Sequence, residues 1–403
     1  MEKWLTLEQV LSAPQAEEDA LRQAMDRCVR QVMGNLPAFE TRFPAANSQG
    51  NFYTPGPNPW PSSGWTCGFW TGELWLAYEN TASPAQRQVL RTAGEKQVEI
   101  FLDRINRKIL VDHHDMGFLY TPSCVAAYKL TGSEKGREAA LKAADQLMTR
   151  YQPVGQFLQA WGDMGDPGNR RLIIDCLLNI PLLYWASETT GDSRYREVAE
   201  KHIHTTMAHI VRPDHSTWHT VFLDPETGAF LRGATCQGYR DSSAWARGQA
   251  WGIYGTAIAY KNAREPAYIR YFQQVADYFL RHLPDDLCPY WDLSFGNGDT
   301  EPRDSSSAAI AACGFLEMGR QLPQEQGVLC TAVAKRLLHA LIEGYQVTDP
   351  SRSNGQLLHG VYARKTPYNT CVNAGVDECV IWGDYFFMEA LTRLLKPDWN
   401  IYW

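Results

Sequence analysis

One pattern recurs along the chain and limits its architecture more than any other feature. The stretches ENTASPAQRQVLRTAGEKQVEIF, KLTGSEKGREAALKAADQLM, SETTGDSRYREVAEKHIHTTM, KNAREPAYIRYFQQVADYFL and QLPQEQGVLCTAVAKRLLHAL share one form. In each, a helix ends, a short polar turn follows, and an Ala-rich amphipathic helix begins. The turns at Thr131-Gly132 and Thr190-Gly191 are the clearest. Segments ahead of the turns, such as LIIDCLLNIPLLYWAS and SSSAAIAACGFLEMG, are more apolar and richer in small residues. Helices buried on most sides have that composition, whereas the later helix of each pair carries a charged outer face.

The chain therefore reads as helical hairpins spaced at intervals of roughly 50 to 70 residues, an inner helix followed by an outer one. With the N-terminal helix counted and IWGDYFFMEALTRLL closing the ring, about six pairs result. Six pairs close into an all-α (α/α)6 barrel, read here as one catalytic domain over residues 1–403. Strand signals are few. TWHTVFLDPETGAFLRG has the alternation and turn residues of a β-hairpin, so short hairpins are expected in the loops at the pocket end. No Gly-rich nucleotide loop interrupts the pattern.

Charge and cysteine usage narrow the function classes. A net charge of −7 and a pI near 5.8 argue against a nucleic-acid or anionic-membrane partner. An anionic substrate must then be held by a few local cations. The ten cysteines include no CxxC pair, and Cys124, Cys176 and Cys313 lie in apolar context as reduced core residues do. The N-terminal stretch is acidic and amphipathic rather than signal-like, and no 18-residue apolar run occurs, so a cytoplasmic location is expected.

The segments preceding the inner helices carry the chemistry. They include YTPGPNPWPSSGWTCGFW, NRKILVDHHDMGF, GQFLQAWGDMGDPGNRR, GATCQGYRDSSAWARGQAW, PYWDLSFGNGDTEPRDSSS and HGVYARKTPYNTCVNAGVDECVIWGDYF, all rich in Trp, Gly, Asp, His and Arg. In a toroid such loops gather at one end and are expected to line one central pocket. Asp175 sits within an almost wholly apolar run, with Arg171 and Asn179 four residues to either side. A structural bond to Arg171 is one reading of it. The other pairs it across the pocket with Asp115 of DHHDMGF, since two close carboxylates disfavour double ionisation and leave one protonated near neutral pH. A metal at Asp112, His113, His114 and Asp115 is disfavoured, because adjacent residues cannot all face one ion and no HExxH pattern accompanies them. Arg247 opens a helix otherwise free of charge and suits either a structural ion pair or a substrate carboxylate. His219 reads alone as a hairpin surface residue, and Trp65, Trp161 and Trp251 as core.

Taken together, WTCGFWTGELWLAYE, LDRINRKILVDHHDMGFLYTPS, QAWGD, LIIDCLLNIPLLYWA, FLDPETGAFLRG, CQGYRDSSAWARGQAWGIYG, YWDL, RDSSSAAIAACG and GVDECVIWGDYFFMEAL resemble the unsaturated glucuronyl hydrolases, glycoside hydrolase family 88. The likeness runs in order from about Trp65 to Trp403, and the first forty or so residues share only helical character. It implies an (α/α)6 barrel with no metal and no organic cofactor. The implied substrate is a di- or oligosaccharide that a polysaccharide lyase has left with a 4,5-unsaturated uronic acid at its non-reducing end. The implied general acid/base is Asp175, with Asp115 as the second essential carboxylate. His114, His219, Gln237 and Arg247 match residues around the uronate, and Trp65, Trp161 and Trp251 match the aromatic walls. A monomer or a homodimer fits equally.

Three other readings stay open on the residues. A related class cleaves unsaturated galacturonyl-rhamnose from pectin, a sugar 2-epimerase on a comparable toroid would place a pair of histidine bases in the pocket, and a helical-repeat scaffold would not need buried carboxylates and Trp concentrated in the same loops. Members favouring sulphated glycosaminoglycan fragments carry a short Ser-containing loop ending in Lys before the Gly-Val-Asp-Glu segment. Here that loop is ARKTPYNTCVNAGVDE, longer and without the matching Ser and Lys. Arg364 and Lys365 are read as solvated, so activity on unsulphated or lightly sulphated disaccharides is expected, with little dependence on sulphation.

Overall fold

The computed structural model describes residues 5–56 and 64–403. Part of the proline-rich segment ahead of Trp65 lies outside the described residues. The recurring turns have a simple physical origin. Gly132 and Gly191 end their helices in the left-handed region (φ 71° and 77°), where a Cβ would be strained. Ser133 and Asp192 follow at once as N-caps, accepting from the backbone N–H of Gly136 and Arg194. A stop and a start fused in two residues reverse the chain into an antiparallel pair.

Six helix pairs form the ring. The inner helices are Cys67–Asn80, the run 116–131, the run 176–190, Ala246–Ala263, Ser305–Gln321 and Ile381–Leu395. Their outer partners are Pro84–Asn106, Glu134–Met148, Ser193–Ile210, Pro266–Arg281, Gln324–Gly344 and, closing the circle from the other end of the chain, Glu18–Phe39. The expected (α/α)6 barrel is the observed one. Small residues let its inner helices approach closely: a Cβ on Gly314 would come within 2.7 Å of the Tyr254 backbone. Phe118 and Phe386 each touch both Trp251 and the C-terminal Trp403, whose indole bonds Glu389 at 2.7 Å.

Two inner helices depart from the regular form the sequence suggested. Pro122 lies in a π-helical turn, Thr121–Val125, and the Ser123 carbonyl there accepts from the Trp75 indole at 2.9 Å. Pro181 divides the run 176–190 into Cys176–Asn179 and Pro181–Thr190, and residues 171–173 before it are strand.

The strands are short and antiparallel. β1 (Tyr151–Gln152) pairs with β2 (Phe157–Leu158), and β6 (Gly360–Ala363) with β7 (Ala374–Glu378). β3 (Arg171–Ile173), β4 (Thr220–Leu223) and β5 (Phe230–Ala234) make a three-stranded sheet. The expected hairpin is β4–β5, and β3 extends it. Among the described residues no helix is long and apolar enough to cross a membrane.

Candidate active site

Asp175 occupies the junction between β3 and the Cys176–Asn179 helix, as the residue that caps that helix's start. It is not inside a helix, so Arg171 is not its i−4 neighbour on a helical face. Arg171 instead bonds Asn169. The structural pairing of Asp175 with Arg171 is therefore excluded. Asp115 holds the equivalent place at the start of Met116–Tyr120. The two helices meet backbone to backbone, since a Cβ on Gly117 would lie 2.3 Å from the Asn179 Cα. Asn179 secures the junction: its Oδ1 accepts the Phe118 N–H at 2.8 Å, and its Nδ2 lies 3.5 Å from Asp115 Oδ1.

This contact brings the two carboxylates to one side chain, His114. Its Nε2 lies 3.4 Å from Asp115 Oδ1 and 3.5 Å from Asp175 Oδ1. The donor atoms of His114, Asp115 and Asp175 all fall within 4.8 Å of one another. Only two of the four adjacent residues in DHHD converge here, as the spacing argument allows, while Asp112 turns away to Arg150 at 2.9 Å.

The environments of the two carboxyls differ. Burial, then the charge of Asp115, raises the pKa of Asp175 well above the usual carboxyl range. Its Oδ1 has no hydrogen-bond partner among the described residues. Burial also opposes ionisation of Asp115, but contacts with His114, His113 and Asn179 outweigh it and lower its pKa. The two carboxyls are driven in opposite directions, Asp175 toward its protonated form and Asp115 toward its ionised one. Burial lowers His114 to about 4, so its imidazole is neutral.

Gly117→Ala is expected to push the two helices apart and separate these groups. Overpacking of this kind typically costs about 1–3 kcal/mol, while a 1 Å misplacement of reacting groups can lower turnover ~10²-fold. Thermal denaturation and kcat measured together check it: turnover should fall by far more than the melting temperature implies.

A cavity of about 340 Å³ opens beside the carboxylates. Every site residue singled out from the sequence lines it: Asp115 and Asp175, Trp65, His114 and Trp161, His219, Gln237, Arg247 and Trp251. His219 is buried rather than on the hairpin surface, its ring 4.8 Å from that of Trp245 and its pKa lowered to about 3 by burial, then by Arg247. Trp251 is buried and still contributes to the wall, whereas Trp161 remains 38% exposed.

Arg247 is the decisive cation. It is buried, and its three hydrogen bonds all reach neutral acceptors: the Val361 and Tyr362 carbonyls, both at 2.9 Å, and the Gln237 side chain at 2.5 Å. Its guanidinium stacks between Trp245 and Trp382, at 4.4 and 4.5 Å. Burial lowers its pKa to about 10, so the charge persists at neutral pH without a carboxylate in contact among the described residues.

Four lining residues escaped the sequence reading: Ile173, Cys236, Trp245 and Tyr362. Trp245 stands two residues before Arg247 in the same motif, a signal that was available. Tyr362 accepts the Trp65 indole N–H at 3.0 Å across the ring, which no local pattern marks. The segment before Ser305–Gln321 was expected at the pocket and supplies no lining residue. Its Asp292 instead braces the loop bearing Gln237, accepting from Tyr239 N and the Ser243 hydroxyl.

Two histidines share the cavity with the carboxylates, so residue types alone do not separate an epimerase from a hydrolase. The comparisons do. Residues 38–348 match the profile described as Glycosyl Hydrolase Family 88. The chain belongs to glycoside hydrolase family 88. It is 45% identical to the unsaturated chondroitin disaccharide hydrolase of Streptococcus pneumoniae, over 100% of this chain and 98% of that one. The crystal structure of unsaturated glucuronyl hydrolase from Streptococcus agalactiae matches with a TM-score of 0.92 at 43% identity, covering 100% of this chain and 98% of that one. A mutant of that enzyme complexed with dGlcA-GalNAc6S matches with a TM-score of 0.84 at 41% identity and the same coverage. This family 88 chain is thus a glycosidase of the unsaturated glucuronyl hydrolase type.

Proposed function

We propose that the protein removes the 4,5-unsaturated uronic acid from the non-reducing end of glycosaminoglycan-type oligosaccharides by hydrating the C4=C5 vinyl ether. One observation carries the reading: an Asp175 carboxyl whose Oδ1 lacks a hydrogen bond and whose pKa is raised, and an Arg247 without a carboxylate in contact, face the same small cavity. A weak acid and a cation that lacks an anion suit a substrate that must be protonated and carries a carboxylate.

Asp175 donates its proton to C4, and positive charge develops at C5 and the ring oxygen. The carboxylate left behind accepts a proton from water as that water bonds to C5. The hemiketal opens at the C5–O bond to a ketone, leaving at C1 a hemiacetal that collapses to an aldehyde and releases the next sugar. One water is consumed, and no direct displacement occurs at the anomeric carbon, unlike the carboxylate-pair glycosidases. Ionised Asp115 keeps Asp175 protonated and holds the sugar with His114. Arg247, held by Gln237 and flanked by His219, takes the uronate carboxylate, and Trp65, Trp161 and Trp251 wall the ring.

Ten free cysteines, nine of them buried, support a cytoplasmic location. The loop cations of the sulphation argument are engaged within the fold: Arg364 pairs with Glu301 at 2.8 Å, and Lys365 bonds the Asn369 carbonyl at 2.8 Å.

The test offers an unsaturated chondroitin disaccharide and an unsaturated galacturonyl-rhamnose separately. Loss of the conjugated ultraviolet absorbance with the first is expected. Loss with only the second would transfer the enzyme to pectin, and loss with neither would end the proposal. Exhaustive EDTA treatment is expected to leave the rate unchanged. Inactivation reversed by a divalent cation would instead place an ion among His114, Asp115 and Asp175.

A further inference from the structure

Beyond the cavity, the β3–β4–β5 sheet carries two arginines that nothing in the uronate site uses. Strand alternation puts Arg171 on the same face as Ile173, which lines the cavity. Arg171 is the cross-strand partner of Phe222, and Phe222 of Arg232, so the three side chains form one row across the sheet. The Phe222 ring lies between the two guanidiniums, 5.4 Å from that of Arg171 and 3.7 Å from that of Arg232. Arg171 also lies 5.0 Å from the ring of Trp161, the exposed wall of the cavity. The row begins where the cavity meets solvent.

Neither arginine has an ion-pair partner among the described residues. Arg171 spends one nitrogen on Asn169, and its Nε is buried without a partner. Arg232 stands exposed on Phe222. The nearest influences are of mixed sign: Arg232 repels Arg171, and Asp166 and Cys236 favour its charge. In a chain of net charge −7, two close cations left unpaired beside a pocket are an unusual arrangement. The cavity, at about 340 Å³, is near the lower end of ligand sites, commonly ~300–1,000 Å³. A substrate whose uronate sits against Asp175 and Arg247 would lead its following sugar out past Trp161, the exposed part of the wall.

We propose that Arg171 and Arg232 form an anion-binding subsite for the saccharide that follows the unsaturated uronate. The proposal rests on the function argued above and adds a substrate preference to it. The shared ligand chemistry is a fixed anion: a sulphate ester on the second sugar, or the carboxylate of a third, uronic residue. The expectation of indifference to sulphation rested on the 363–374 loop, and this proposal departs from it.

The test measures kcat/KM on three unsaturated substrates: an unsulphated chondroitin disaccharide, its monosulphated counterparts, and an unsulphated tetrasaccharide. Arg171→Gln, Arg232→Gln and Arg232→Lys are compared with wild type, with melting temperatures recorded. Wild type is expected to favour an anionic substrate over the neutral-aglycone disaccharide, the more so at low salt. In each Gln variant that preference should fall about tenfold through KM, the scale of one charge-assisted contact, and Arg232→Lys should retain part of it. A fall confined to the sulphated disaccharides identifies the sulphate as the ligand, and one confined to the tetrasaccharide identifies the carboxylate. If both Gln variants keep the wild-type preference within about twofold while folded, the subsite is refuted. Activity on the unsulphated disaccharide alone separates that result from failure of the proposed function, in which wild type turns over none of the three.

Discussion

Asp175→Asn is expected to lose ~10²–10⁴-fold in kcat, the usual contribution of a positioned acid/base. The amide keeps the shape of the side chain and removes the proton that C4 must receive. Folding should not suffer. Because the pKa of Asp175 is raised in the folded protein, that state binds the proton more tightly than the unfolded chain does. Ionising Asp175 therefore costs stability progressively as pH rises from the ordinary carboxyl value through the raised one. The melting temperature of Asp175→Asn relative to wild type should accordingly climb with pH over that window. Activity of wild type follows the same group: kcat/KM should fall on the alkaline side as Asp175 loses its proton. It should fall on the acid side only below the ordinary carboxyl range, where Asp115, whose pKa is lowered, becomes protonated. Retention of more than about a tenth of wild-type turnover by Asp175→Asn would remove the residue from the acid's role.

Arg247→Met is expected to raise KM strongly and change kcat less. Truncating one partner of a buried charge pair commonly costs about 2–5 kcal/mol, ~30-fold or more in kcat/KM. Arg247→Lys should not restore it, because an ammonium cannot stack between Trp245 and Trp382 while bonding two carbonyls. The check is a substrate whose uronate is methyl-esterified. Wild type should lose activity on the ester, whereas Arg247→Met should treat ester and acid alike. An equal penalty for esterification in both proteins would place the carboxylate elsewhere.

Much of this architecture was legible because its signals are local. At two of the turns a Gly followed by Ser or Asp fixes a left-handed stop and a capped start within two residues, and the toroid follows from the repeated alternation of apolar and amphipathic helices. The site was legible for a related reason. Asp175 and Arg247 are charged residues in apolar surroundings, and both line the cavity that such placement suggested. What the sequence hid depends on contacts between distant segments. β3 is three residues long and exists because β4 pairs with it, so its run was read as helix and Arg171 as a partner for Asp175. The row Arg171–Phe222–Arg232 likewise forms only when the strands are in register. Tyr362 reaches Trp65 from the far end of the chain, and Arg364, which looked solvated, finds Glu301 on another loop. Asn179, by contrast, was visible as a polar residue one turn from Asp175. Its bond to Phe118 explains why it is there.

The central claim is hydration of the vinyl ether rather than displacement at the anomeric carbon, and a pair of disaccharides tests it most directly. One carries the 4,5-unsaturated uronate and the other its saturated counterpart, identical in linkage and second sugar. Release of the second sugar and the conjugated ultraviolet absorbance are followed together. The hydration mechanism predicts release from the unsaturated substrate in step with loss of absorbance, and none from the saturated one, which has no double bond for Asp175 to protonate. Cleavage of the saturated disaccharide at a comparable rate, or sugar release that runs ahead of the absorbance loss, would contradict it.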